Sequence, residues 1–310
     1  MTKPRALAPG DLVGLVAPAS PCQDPERLAA SVAALEGLGF RVLVGQSCRE
    51  SRGYLAGSDQ ARARDIEAFF ADPSVSAIVC LKGGYGSPRI LDLVDWGIAA
   101  AHPKILLGYS DVTALHLALG RVGLVGIHAP MPSSDMLPSL DPFSRASWLR
   151  AVTSRLPLGL LEPPPGQAAP VALAGGRASG PLVGGNLSLV AALMGTPWEL
   201  DTRGAILFLE DVGEQPYRLD RMLSQLRLAG KFRDCAGIVL GGFTRCEPAK
   251  DKPSLSLREV FEDILLPAGR PCIMGFAAGH CIPSHSLPLG VEAELDADSG
   301  SLTITEAALS

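Results

Sequence analysis

Short apolar runs alternate with amphipathic stretches along the first half of the chain. Residues 11–17, Asp-Leu-Val-Gly-Leu-Val-Ala, predict a buried strand closed by the loop Pro18-Ala19-Ser20-Pro21. Residues 25–38 have helical period and stop at Gly39, after which 41–44 predict a second strand. Residues 58–70 mix charged and apolar positions as a surface helix does, with Ser58 placed to cap it and Pro73 beyond its end. A third strand at 77–81 runs into Gly83-Gly84-Tyr85-Gly86. A helix over 91–101, a fourth strand at 105–107 and a helix over 112–119 follow.

Strands alternating with helices at this spacing predict βαβ units, hence an α/β fold with a doubly wound parallel sheet of flavodoxin-like or Rossmann-like type. The second half has strand-like runs at 205–209, 237–240 and 302–305, and helical ones at 187–194, 218–228 and 256–266. Between the halves the chain is rich in Pro, Gly and Ala, notably Pro163-Pro164-Pro165-Gly166. The expected organisation is an N-terminal domain over 1–160, a linker over 161–179 and a smaller C-terminal α/β domain over 180–310. In such parallel sheets ligands bind beyond the carboxyl ends of the strands. Both the Gly83 to Gly86 loop and the segment Gly108-Tyr109-Ser110-Asp111-Val112-Thr113 fall there.

Composition narrows the partners. A net charge of -5 with 47% hydrophobic and 19% charged residues supplies a core but no basic footprint for nucleic acid or an anionic membrane. Residues 178–198 are uncharged and long enough to suggest a membrane span, but Gly180, Pro181, Gly184, Gly185, Asn186, Gly195 and Pro197 break them into turns. No apolar signal segment follows the basic start. Seven cysteines without a Cys-x-x-Cys pair indicate neither a disulfide framework nor a zinc site, so a reducing cytoplasm and no metal are expected. Small molecules or peptides are the expected ligands.

Ser110 sits where an apolar run meets a helix. A sharp strand-to-helix turn pushes a serine hydroxyl out of the sheet and aims the first N–H groups of the helix at what it attacks. Gly108 supplies the first glycine of a Gly-x-Ser-x-Gly elbow, while Val112 replaces the second. On this segment alone, capping the helix is the commoner role for such a serine. A serine nucleophile needs a base and a group to orient it. Of five histidines, His102 lies before Pro103 and His116 mid-helix, whereas His128 and His280 lie at apparent strand ends and His285 follows in the same loop. Glu210 and Asp211 end a strong apolar strand, a position that is often only a solvated terminus. The Gly83 loop lacks the Lys-Ser/Thr of a P-loop and the spacing of a dinucleotide fingerprint, but its N–H groups suit a developing oxyanion. Gly184-Gly185-Asn186 reads most simply as close helix packing.

Taken in order, the motifs Gly83-Gly-Tyr-Gly86, Gly108 to Thr113, Gly184-Gly-Asn-Leu187, Leu209 to Glu214 with Tyr217-Arg-Leu-Asp-Arg221, and Gly279-His280 with Leu287-Pro-Leu-Gly290 resemble one family. That family is the LD-carboxypeptidases of the muramoyltetrapeptide carboxypeptidase type, which are serine peptidases. The resemblance runs from about Gly14 to Gly290, with His128-Ala129-Pro130-Met131 in place of the more familiar His-Gly-Pro-Met.

The resemblance implies Ser110 as nucleophile, His280 as base and Glu210 as orienting acid, with an oxyanion hole from the N–H groups of Gly84 and Asp111. It implies a homodimer, no cofactor, and a murein-derived peptide substrate cut before its terminal D-alanine. Arg218 and Arg89 are candidates for the terminal carboxylate, since an Arg fork matches that group, and Tyr85 is a candidate substrate contact. With Ser110 and its partners in different domains, domain closure is an expected control on activity. The alternative within the family is a microcin C immunity-type peptidase acting on a peptidyl or aminoacyl nucleotide, for which Trp198 is a candidate aromatic platform. The alternative from another class is a non-enzymatic Rossmann-like binding protein.

Overall fold

The computed structural model describes residues 1–249 and 253–310. Packing divides the chain into two units, Met1–Leu156 with Ser286–Gly290 and Ala307–Ser310, and Pro157–His285 with Val291–Glu306. Both are mixed α/β, as the alternation of elements predicts.

In the first unit β1 (Leu12–Val16), β2 (Arg41–Val44), β3 (Val75–Cys80), β4 (Ile105–Gly108) and β5 (Gly126–His128) form a parallel sheet in the order 2-1-3-4-5. The central strands are buried on both faces: Leu15, Ile78, Val79, Leu106 and Leu107 are fully excluded from solvent. Each such side chain contributes about 1.5–3 kcal/mol by burial. Edge strand β2 alternates between exposed and half-buried positions, because successive side chains point to opposite faces of the sheet. The strand order reverses between β1 and β3, the point at which doubly wound sheets open a crevice beyond their carboxyl ends.

Helix starts follow local capping chemistry. Ser58 Oγ accepts from the Ala61 N–H to open Asp59–Ala71, as expected. The helix expected over 91–101 begins only at Trp96, where the Asp95 side chain accepts from the Gly97 N–H. Upstream of it Ser87–Ile90 is a separate 3₁₀ turn with proline in its first positions. Asp95 interrupts the apolar pattern because a short acid competes for backbone donors and favours a cap over a helix interior.

In the second unit β6 (Gly159–Leu160), β7 (Val171–Ala174), β8 (Arg177–Asn186), β9 (Ile206–Val212), β10 (Gly237–Thr244) and β11 (Cys272–Gly279) come first in the chain. Next, β12 (Leu287–Leu289) pairs antiparallel with β5 of the first unit's sheet. Then β13 (Glu292–Asp296) and β14 (Ser301–Ile304) complete an eight-stranded sheet in the order 6-14-13-8-9-10-11-7. Its centre, β8 to β11, is parallel, and its flanking strands are antiparallel.

This division differs from the expected one. Residues 161–179 hold strand β7, paired with β11, and the start of β8, so only the turn around Pro164 and Gln167 keeps linker character. Residues 286–290 and 307–310 fall in the first unit although they lie far downstream in sequence. Strand pairing between distant segments decides this, and composition does not report it. The uncharged stretch 178–198 is split between β8 and the short helix Leu187–Ala192. Among the described residues no helix is long and apolar enough to cross a membrane.

His116 lies in the helix Thr113–Arg121, buried, with Nε2 2.8 Å from the Gly108 carbonyl. A carbonyl only accepts, so the proton sits on Nε2. Burial pushes the imidazole pKa from 6.5 down to about 4, outweighing the Gly108 bond that raises it. Between those values the unfolded chain holds a proton that the folded chain lacks, so stability is lost as pH falls through this window. His116→Gln should therefore lose about 3 kcal/mol less stability than the wild type between pH 7 and pH 4. Urea melts of both proteins at the two pH values measure the difference.

Candidate active site

Strand β4 ends at Gly108, Tyr109 stays extended, and Ser110 turns into the left-handed region at φ 62° before the 3₁₀ turn Ser110–Val112. Such a conformation costs a non-glycine residue about 1–3 kcal/mol. The helix is entered through Val112, which provides no side-chain cap, so the capping role expected of Ser110 is not taken up. The Gly108 carbonyl accepts from His116 and from the Ala129 N–H, which hold the elbow from the helix and from the end of β5. The Tyr109 hydroxyl donates to Asp135 at 2.8 Å, and its ring packs edge-on against His128.

The loop after β3 lies against this elbow. A Cβ built on Gly83 would stand 3.0 Å from Ser110 Cβ and 3.2 Å from its Oγ, so Ser110 would have to give way by a few tenths of an ångström. Gly84 has φ 108°, and a Cβ there would meet Ser20 Oγ at 2.3 Å. Only glycine combines that backbone with that neighbour. The Ser20 N–H donates to the Gly83 carbonyl at 3.3 Å, and Ser20 Oγ accepts from the Tyr85 N–H at 3.1 Å. Nucleophile candidate, glycine loop and the loop after β1 are thus one cluster at the carboxyl ends of β1, β3 and β4. Tyr85 is half exposed and packs edge-on against Tyr54, 5.6 Å between centroids. Arg89 grips both oxygens of Asp59 through Nε and Nη2 at 2.7–3.1 Å, so its fork is already occupied by a carboxylate of the protein.

In the second unit Glu210, near the end of β9, is fully buried. One of its oxygens, Oε2, accepts two bonds from His280: the ring Nδ1–H at 2.6 Å and the backbone N–H at 3.1 Å. Oε1 accepts from Asn186 Nδ2 at 3.3 Å, and Asn186 stands opposite Glu210 in the β8–β9 register. Three donors therefore converge on one buried carboxylate. Since the carboxylate holds Nδ1–H, the lone pair of the neutral ring lies on Nε2, the atom a general base uses. Thr244 donates its hydroxyl to the His280 carbonyl and holds the residue from β10. Asp211, the neighbour of Glu210, faces Ser188, whose N–H and hydroxyl both bond Oδ2 at 2.8–2.9 Å. Burial nevertheless raises its pKa, and the Glu210 charge adds to the rise.

The structure separates the five histidines by role. His102 is exposed at a helix end, and His116 and His128 are buried. His285 donates Nε2–H to the Glu162 carbonyl at 3.0 Å and stacks on Phe276, so it is committed to the core of its unit. Of the two candidates in that loop, His280 meets the buried Glu210 carboxylate. Cys281 beside it has its thiol pKa pushed up to about 11 by burial, which leaves it inert as a nucleophile at neutral pH. Arg218 is half exposed and bonds Tyr217 Oη at 3.1 Å and Glu214 at 3.5 Å. Trp198 is half-buried. In sequence Asn186 reads only as part of a packing loop. Its bonds to Glu210 and Asp211 depend on strand register and are invisible in a one-dimensional pattern.

Two family profiles match the chain: an LD-carboxypeptidase N-terminal domain over residues 13–129 and an LD-carboxypeptidase C-terminal domain over 179–295. A probable murein peptide carboxypeptidase of Bacillus subtilis is 44% identical over 304 residues, covering 95% of this chain and 91% of the relative. A muramoyltetrapeptide carboxypeptidase from Oxalobacter formigenes superposes with a TM-score of 0.83 at 28% identity, over 94% of this chain and 97% of that one. The microcin C7 self-immunity protein MccF, solved with aspartyl sulfamoyl adenosine, superposes with a TM-score of 0.91 at 25% identity, over 100% of both chains.

Gly279 tests the packing at the base. Its φ is 95°, and a Cβ there would stand 2.6 Å from Glu210 Oε2. Gly279→Ala should lower stability by about 2 kcal/mol or more from backbone strain and collision with the carboxylate. Denaturant melts read the loss, and an unchanged midpoint would show that the turn relaxes freely.

Proposed function

Because the chain belongs to the LD-carboxypeptidase family, we propose that this carboxypeptidase hydrolyses the L,D bond before the terminal D-alanine of a murein tetrapeptide, with Ser110 as its nucleophile. The observation that carries the assignment is the buried Glu210 carboxylate on His280 Nδ1 at 2.6 Å, which makes Nε2 the basic nitrogen. In this reading Ser110 Oγ attacks the carbonyl of the L-centred diamino acid while His280 Nε2 takes the hydroxyl proton. The N–H groups of Gly84 and Asp111 receive the oxyanion. Collapse of the intermediate breaks the C–N bond, and His280 returns its proton to the departing D-alanine amine. Water, deprotonated by His280, then resolves the acyl-enzyme, releasing the tripeptide and restoring Ser110. Glu210 keeps its bond to the Nδ1–H throughout and stabilises the imidazolium.

Arg218 is assigned to the terminal carboxylate, because its single contact with Glu214 at 3.5 Å is looser than the grip of Arg89 on both oxygens of Asp59 at 2.7–3.1 Å. Tyr85, next to Gly84, is assigned a contact with the peptide. A tripeptide product suits reuse in cell-wall synthesis, and the seven free thiols suit the cytoplasm in which that reuse takes place.

The likeness to MccF favours a second substrate class, in which the same three residues cleave an acyl bond beside a nucleotide and Trp198 supplies a stacking surface. Incubation of the protein with murein tetrapeptide and with an aminoacyl sulfamoyl nucleotide, read by mass spectrometry, separates the two.

Ser110→Ala should abolish D-alanine release from tetrapeptide while leaving the fold intact, and turnover retained by that variant would remove Ser110 as nucleophile. Glu210→Gln should lower kcat by about 10⁴-fold, the scale for a lost tautomer-fixing acid. A near-wild-type rate would assign the orienting role to another group.

A further inference from the structure

One peptide group joins the glycine loop to the Ser110 elbow and is gripped at both of its polar atoms by buried charged side chains. Its carbonyl, that of Gly86, accepts from Arg62 Nη1 at 2.8 Å. Its N–H, that of Ser87, donates to Asp111 Oδ2 at 2.7 Å. Arg62 is fully buried, and Asp111 is 1% exposed. The same guanidinium nitrogen also bonds the Pro18 carbonyl, and Nη2 pairs with Asp59. Arg62 therefore ties the loop after β1, which carries Ser20, to the loop after β3, which carries Gly84. Asp111 ties that second loop to the residue beside Ser110. The two side chains have opposite charge and interact across the peptide they share.

Burying a guanidinium and a carboxylate is costly unless each is paired and hydrogen-bonded. Apolar side chains at both positions would fill the same space at lower cost, but they could not hold a peptide group by its two ends. We infer that Arg62 and the carboxylate of Asp111 are positioning residues that lock the Gly83 to Ser87 loop against the Ser110 elbow, setting the oxyanion donors before substrate arrives. The inference rests on Ser110 as nucleophile with Gly84 and Asp111 N–H groups as oxyanion donors, and it adds to them a side-chain role for Asp111. Neither Arg62 nor that carboxylate touches the reacting atoms. Their effect falls on kcat, since donors displaced by a fraction of an ångström weaken transition-state binding more than ground-state binding.

The test is the rate at which a fluorophosphonate labels Ser110 in the full-length protein. In that reaction Ser110 Oγ forms a bond to phosphorus, fluoride leaves, the hydroxyl proton passes to His280, and the phosphoryl oxygen occupies the oxyanion site. Asp111→Ala should slow labelling by about 100-fold, the scale of a misplaced catalytic group. Asp111→Asn, whose amide oxygen can still accept from Ser87, should recover most of the rate. Arg62→Lys, which keeps the charge but not the span to both carbonyls, should lie between them. In D-alanine release, kcat should fall in parallel while KM stays within about twofold. Thermal melts run beside the labelling show which variants are folded. If Asp111→Ala fails to fold, Arg62→Lys and Asp111→Asn carry the comparison. Labelling of folded Asp111→Ala or Arg62→Lys at the wild-type rate overturns the inference, as does a loss confined to KM. Absence of labelling in the wild type instead overturns the assignment of Ser110, so the two failures are distinct.

Discussion

A carboxylate with no access to water governs the cluster around His280 in the second unit. Burying a carboxylate is costly unless donors surround it, and the chain supplies Glu210 with three: the His280 ring, the His280 backbone and the Asn186 side chain. Each demand shapes an element. The backbone donor requires the chain to turn tightly at Gly279, where a side chain would strike the carboxylate. The Asn186 donor requires β8 and β9 to run parallel in the register that sets Asn186 opposite Glu210. The ring donor fixes the imidazole orientation and its tautomer together. A solvated acid at the same strand end would impose none of this, because water would satisfy it in any rotamer.

The first unit meets a different constraint, strain in place of charge. Ser110 is held at a positive φ that its side chain disfavours, so the surroundings must over-determine it. They do so from several sides: His116 and the Ala129 N–H on the Gly108 carbonyl, the glycine loop packed on the hydroxyl, and Asp111 bonded to Ser87. The nearly fully buried strands β3 and β4 supply the stability against which this strain is small. Under the proposed mechanism the strain has a purpose, since the same turn that exposes the hydroxyl points the Asp111 N–H toward the developing oxyanion.

Much of the fold is legible in one dimension. The alternation at 11–17, 41–44, 77–81 and 105–107 gives strands close to those observed, because apolar runs bounded by Gly and Pro have few other ways to be buried. Ser58 caps its helix as its position suggests. The failures have local and non-local causes. Asp95 opens a helix that the apolar count would have started at residue 91, since a cap outweighs weak periodicity. The proline-rich region has linker composition throughout although residues 171–174 form a strand, because an edge strand gains its stability from a partner distant in sequence.

The candidate site divides the same way. Local pattern offered Ser110, Glu210, His280 and Gly84 only as candidates among others, and it was the resemblance of five motifs in one order to a known family that singled them out. Sequence left His285 beside His280 as a second possible base and offered Arg89 as a carboxylate binder. It said nothing of the partners of Arg62 and Asn186. Only the tertiary structure decided these, by stacking His285 on Phe276, spending Arg89 on Asp59, and burying Arg62 between two loops and Asn186 beside Glu210. The physical reason is that a polar group's role is set by its desolvation and by the donor or acceptor it meets. Both depend on strand order and register, which join residues that the linear chain holds tens of positions apart.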